Sequence, residues 1–95
     1  MTRDEARLKV LGALAHGAPP GDSLEVLDDA TIEKAYGWVF FYQSKKFLET
    51  REASYQLAGN GPAVVLRDGT LHWLTSAYSL EQELARFEAE HGLKP

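Results

Sequence analysis

The stretch Tyr36-Gly-Trp-Val-Phe-Phe-Tyr-Gln-Ser44 constrains this chain most, because five of its ten Phe, Trp and Tyr residues fall within seven consecutive positions there. Read as a strand, it alternates its side chains between two faces, with Trp38, Phe40 and Tyr42 on one side and Val39, Phe41 and Gln43 on the other. Both rows are mainly apolar. Such a strand belongs in the middle of a sheet, with a layer packed on one side and either a second layer or an exposed binding surface on the other.

Ninety-five residues suffice for one core and leave no room for a separate catalytic unit, so residues 1–95 read as a single domain. The absence of cysteine excludes disulfides and thiolate metal sites, and no apolar run at the amino terminus suggests a signal peptide or a membrane span. The expectation is a cytoplasmic protein with no membrane partner. A formal charge of −4 argues against a nucleic-acid partner, whose phosphates would need clustered Lys and Arg, and favours a basic protein partner.

Along the chain, Thr2 and Glu5 form a capping box opening a helix. Leu8, Leu11, Leu14 and Ala15 recur at helical spacing, Gly17 is placed to stop the helix, and Ala18-Pro-Pro-Gly21 confirms the stop. Arg3, Arg7 and Lys9 read as its solvated face. Ser23 to Lys34 reads as a first strand interrupted at Asp28-Asp-Ala30. After the aromatic strand, Lys45 to Thr50 suits either a strand continuation or a short helical turn, and Leu57-Ala-Gly-Asn-Gly-Pro62 reads as a turn feeding a strand rather than a phosphate loop, since it has no P-loop Lys-Ser/Thr.

Asp68-Gly69 signals a two-residue hairpin turn. That turn would set Leu66 opposite Leu71 and Val64 opposite Trp73, so Val64, Leu66, Leu71 and Trp73 would form the core face, while Arg67, His72 and Leu74 would lie on a mixed face. A second capping box, Ser79 and Gln82, opens a helix with Leu80, Leu84 and Phe87 inward and Glu81, Glu83, Glu88 and Glu90 outward, closed by Gly92. The order predicts an α+β fold: an N-terminal helix, a four-stranded, mainly antiparallel sheet in meander order, and a C-terminal helix, both helices on one face.

No catalytic constellation is legible. His16 and His91 sit beside helix-ending glycines, His72 lies mid-strand, and no histidines or carboxylates share ligand spacing. The residues predict no enzyme, no cofactor and no metal site.

Tyr36-Gly-Trp-Val-Phe-Phe-Tyr-Gln-Ser-Lys-Lys-Phe-Leu-Glu-Thr50, then Leu57-Ala-Gly-Asn-Gly-Pro-Ala-Val-Val65, a Gly-ended hairpin and a closing helix resemble the immunity protein 35 family, over Leu24 to Glu90. The N-terminal helix and Ala-Pro-Pro-Gly linker lie outside this resemblance. The family comprises small α+β proteins associated with bacterial polymorphic toxin systems, so the resemblance implies an antitoxin that neutralises a cognate protein toxin by stoichiometric binding. The sheet face left open by the helices is the expected contact surface, with Arg67, His72, Val39, Phe41 and Gln43 as candidates. The alternative is a housekeeping protein-interaction module or a small chaperone-like protein using the same face.

Overall fold

The computed structural model describes residues 1–57 and 61–95, so the glycine turn expected at Leu57–Pro62 falls partly outside the described residues. Helix α1 (Arg3–Leu14) opens with the Thr2–Glu5 capping box, complete in both directions. It is followed by strands β1 (Leu24–Val26), β2 (Ile32–Lys34), β3 (Gly37–Phe40) and β4 (Tyr42–Ser44), the short helix α2 (Lys45–Thr50), strands β5 (Ala63–Leu66) and β6 (Leu71–Trp73), and helix α3 (Leu80–Glu90). The four-stranded antiparallel sheet has the order β2-β3-β5-β6, the sequential order expected of a meander, and β1 pairs with β4 as a separate two-stranded sheet. The interrupted first strand therefore pairs with both halves of the aromatic strand. At the break, the Leu27 N–H donates to Phe41 O at 2.8 Å while Asp28–Ala30 loops out as a 3₁₀ turn.

The two helices do not share a face. One core joins Ala6, Val10 and Leu14 of α1 to Val26, Trp38, Phe40, Ala63 and Val65, and the other joins Leu84 and Phe87 of α3 to Val39 and Val64. This corrects the expectation of an open sheet face, and the reason lies in the aromatic strand itself. Its two apolar rows each need a cover, two amphipathic helices are available, and burying both rows removes more apolar surface from water than stacking both helices on one.

The hairpin differs from expectation by one residue. Leu66 N donates to Thr70 O and Gly69 N to Leu66 O, both at 2.9 Å, so the loop is the three-residue Arg67-Asp68-Gly69 with Gly69 at φ +93°. Residues at that angle are nearly always glycine, and a turn of this length carries its left-handed residue last. Lys9 Nζ donates to Gly69 O, and Asp68 Oδ1 accepts from the Thr70 N–H at 2.9 Å and from the Thr70 hydroxyl. The resulting pairs are Ala63 with Trp73, Val64 with His72 and Val65 with Leu71. Because side chains alternate with period two, this slip turns every β6 side chain to the opposite face. Leu71 now packs beneath α1, His72 points toward α3, and Trp73 is 48% exposed instead of forming core.

The α1 stripe is also rotated from the sequence reading, while in α3 Leu84 and Phe87 face inward as expected and Leu80 is exposed. In α1 the buried line is Ala6, Val10 and Leu14, whereas Leu8 is 64% exposed. Beside that line Arg7 bonds the Asp28 carboxylate, Nε to Oδ1 at 2.7 Å, and Arg3 donates to Asp28 O at 3.0 Å. These two arginines, with Lys9, clamp α1 to neighbouring loops and are not simply a solvated face. The helix ends at Leu14, ahead of Gly17, which keeps a negative φ. Helix α3 stops at Gly92 as expected, with Leu93 N donating back to Glu88 O at 2.8 Å.

Ser44 caps α2, its Oγ accepting from Phe47 N at 3.2 Å, and is itself fully buried. Its hydroxyl donates to Asp22, whose other oxygen accepts from the Ser23 and Lys46 N–H groups at 2.7 and 3.2 Å. The Ser44 hydroxyl, followed by these backbone donors, holds the Asp22 carboxyl below the usual aspartate range. A carboxyl depressed in the folded state stabilises the fold fully above the unfolded titration point, about pH 4, and that contribution is lost as pH falls through the folded value. Asp22→Asn is therefore expected to lower stability at neutral pH, with the gap to the parent narrowing below about pH 4. Urea unfolding across the acid range checks this, and a gap that stays constant would contradict it.

Candidate functional site

The five expected contact residues are scattered by this architecture. Val39 is 0% exposed beneath α3 and belongs to no contact surface. Phe41 shares that side, half-buried in a shallow cleft with Pro62, Tyr78 and Leu80. Gln43 turns inward, its Oε1 accepting from the Ser44 N–H at 2.9 Å and the Leu57 N–H at 2.7 Å. Arg67 lies at the hairpin tip, where Nε donates to Ala35 O at 2.8 Å and the guanidinium stacks 4.7 Å from the Trp38 ring centroid. It staples one turn to another and covers a buried indole. The physical reasons for the scattering are the cover on both sheet faces and the one-residue slip in the hairpin.

His72, like Phe41, lines a recess. It lines a groove of about 240 Å³ between strand β6 and helix α3, with Leu74, Glu83, Phe87, Glu90 and His91. Its ring stands edge-on to Phe87 at 5.2 Å and to His91 at 4.9 Å between centroids. His91 Nδ1 lies 2.9 Å from Phe87 O, and because a carbonyl only accepts, Nδ1 carries the proton. The rings are thus held in place by packing and by one backbone bond.

The acidic residues of α3 divide into two sets that the sequence reading treated as one. Glu83 and Glu88, expected to face outward, are only 6% and 7% exposed. Glu83 accepts from the Thr75 hydroxyl. Glu88 accepts from the Tyr36 hydroxyl at 2.6 Å and pairs with Lys34 at 3.5 Å, joining the β2–β3 turn to α3. Burial first, and then this bond to Glu88, push the Tyr36 phenol well up from its ordinary value. Glu81 and Glu90 stay exposed, Glu90 in an i,i+4 pair with Arg86 at 3.1 Å. A stripe reading that ran Glu83-Leu84 and Phe87-Glu88 together would have found the inward face of α3; Thr75 lies only eight residues from Glu83, but Tyr36 reaches Glu88 from 52 residues away.

Among the described residues, no group of three or more His, Asp or Glu side chains converges to hold a metal ion, and no helix is long and apolar enough to cross a membrane. The groove offers two imidazole rings, an aromatic wall and a flank of Glu83, Arg86 and Glu90, beside a strand that pairs with no other strand on its outer side among the described residues.

Comparison with known proteins gives the family. The sequence model of a family described as immunity protein 35 matches residues 4–90, reaching back through the linker and α1 that lay outside the resemblance seen in the sequence. An Escherichia coli K12 protein named uncharacterized protein YrhB is 40% identical over 53 residues, covering 55% of this chain and 56% of that protein. The match thus spans just over half the length of that relative, and no solved structure matches the chain. With a family match running from the first turn of α1 to the last residue of α3, the chain belongs to the immunity protein 35 family.

Proposed function

We propose that this protein is a non-catalytic immunity protein, which neutralises a cognate bacterial toxin by binding it one to one. The observation that carries this reading is the family match over residues 4–90. A protein of this size blocks an enzyme by burying on the order of 800 Å² of its own surface around a few anchors. With both sheet faces covered, those anchors come from the strand edge, the α3 groove and the loops. His72 stays a candidate contact there, and Phe41 in its cleft is a second; Arg67 and Gln43 act mainly within the chain. An acidic protein also suits a basic toxin, because opposite net charges speed encounter.

Co-expression with candidate toxin domains from the gene neighbourhood tests the proposal. Growth is expected to be rescued, and a 1:1 complex is expected on size exclusion. Rescue without a complex, or turnover of the toxin's substrate or product by this protein alone, would replace binding with an enzymatic antidote.

A further inference from the structure

The hairpin register fixes which backbone groups of β6 point outward. Leu66 bonds to Thr70, and Leu74 N donates to Pro62 O at 2.9 Å. Bonded pairs alternate along an antiparallel ladder, so His72 turns its N–H and C=O to Val64, while Leu71 and Trp73 turn theirs away from β5. Strand β6 is the last strand of the sheet, and among the described residues none hydrogen-bonds to the outward N–H of Leu71 or Trp73.

Exposed edges are commonly guarded by charge, proline, bulges or breaks. The opposite edge is guarded in this way: β2 is as short as β6, but it follows the 3₁₀ turn at Asp28–Ala30 and carries Glu33 and Lys34. Strand β6 reads Leu71-His72-Trp73, has no charge or proline, and holds Trp73 half-exposed, edge-on to Tyr42 at 5.9 Å between centroids. Beside it runs the groove whose far wall is α3.

The geometry points to strand addition: the β6 edge receives an extended segment of the toxin, pairing with the outward groups of Leu71 and Trp73 and lying between the Trp73 indole and the α3 groove. This rests on the toxin-binding reading and names the surface that performs it. The charge along the groove selects the kind of segment. The groove itself is lined by Glu83 and by Glu90 paired with Arg86, and helix α3 as a whole carries four glutamates against that one arginine. An antiparallel pairing of two β6 edges would set two such helices side by side on one face of a joined sheet, where like charges repel. A segment bearing Lys or Arg on its α3-facing side meets the opposite sign. The occupant is therefore a basic strand of another protein rather than a second copy of this chain.

Trp73→Pro tests this directly, since it deletes one outward N–H and leaves every bond between β6 and β5 in place. The probe is the toxin domain that this protein neutralises in the co-expression test, inactivated by substitution, with affinity measured by calorimetry. Trp73→Pro is expected to weaken binding by on the order of 10- to 100-fold, as loss of a strand-pairing bond and its neighbour implies, and Trp73→Ala, which keeps the N–H, by less. The amides of Leu71 and Trp73 should exchange fast in the free parent and become protected in the complex, a measurement that holds even if the proline variant misfolds. Parent and proline variant binding equally, or no new protection at these amides, overturns strand addition while leaving the immunity reading intact. No binding by the parent rejects both. A parent that is a dimer by ultracentrifugation, and becomes a monomer on Trp73→Pro, gives the edge to a second copy and overturns the basic-strand assignment.

Discussion

Phe40→Ala is expected to cost about 3 to 5 kcal/mol, whereas Trp73→Ala should cost only about 1 kcal/mol. Phe40 is the largest of the fully buried side chains and sits where β3 and β5 meet α1. Removing its ring forfeits the transfer free energy of a phenyl group and leaves a cavity between a helix and two strands that cannot close over it cheaply. Trp73 is the larger residue, but it is half-exposed and its ring contact is the edge-on one with Tyr42. Urea denaturation of the two variants side by side decides the matter. Had the two-residue turn been correct, Trp73 would carry the core penalty, so equal losses, or the reverse order, would return the register to that reading.

Gly37→Ala should be comparably severe, with a loss on the order of 3 kcal/mol or more. A Cβ at Gly37 would stand 2.0 Å from the Val65 carbonyl oxygen and 2.9 Å from Leu66 Cα. Those are backbone atoms of the paired strand, since Gly37 lies opposite Leu66, so relief requires parting β3 from β5 in the centre of the sheet. The contrast is Gly12→Ala in α1, where the new methyl meets nothing within 4 Å. There the same change is expected to stabilise by about 0.5 to 1 kcal/mol, because alanine favours the helix and restricts the unfolded chain. Thermal and urea unfolding of both variants checks the pair, and a tolerated Gly37→Ala would mean that the β3–β5 contact is looser than described.

These expectations bear on the immunity reading through the surface they leave free. Both sheet faces are occupied by the protein's own helices, so residues facing them, Val39 foremost, serve the core. What remains for a partner is an edge, a groove and loops. On the function proposed above, variants at Phe40 and Gly37 should impair neutralisation only through stability, while variants along β6 should impair it with the fold intact. That difference separates architecture from recognition in one set of measurements.

Much of the fold was determined by the sequence alone. The capping boxes at Thr2–Glu5 and Ser79–Gln82 set both helix starts because they satisfy backbone N–H groups within one turn. The aromatic alternation set the two rows of the central strand, Trp38, Phe40 and Tyr42 against Val39 and Phe41, because the pleat has a period of two. Such devices act over a few residues, so a few residues suffice to read them. The tertiary structure decided the rest. Whether Asp68-Gly69 closes a two- or a three-residue loop went with which side chains of β6 the two helices cover, Leu71 on the α1 side and His72 against Phe87 of α3. That one step moved Trp73 out of the core and His72 into the groove. Which helix covers which row, and which glutamates turn inward, depended on Thr75, Tyr36 and Lys34 arriving from elsewhere in the chain. A local pattern states that a face must be buried; only the assembled fold supplies what buries it, because the burial energy comes from contacts the neighbouring sequence does not contain.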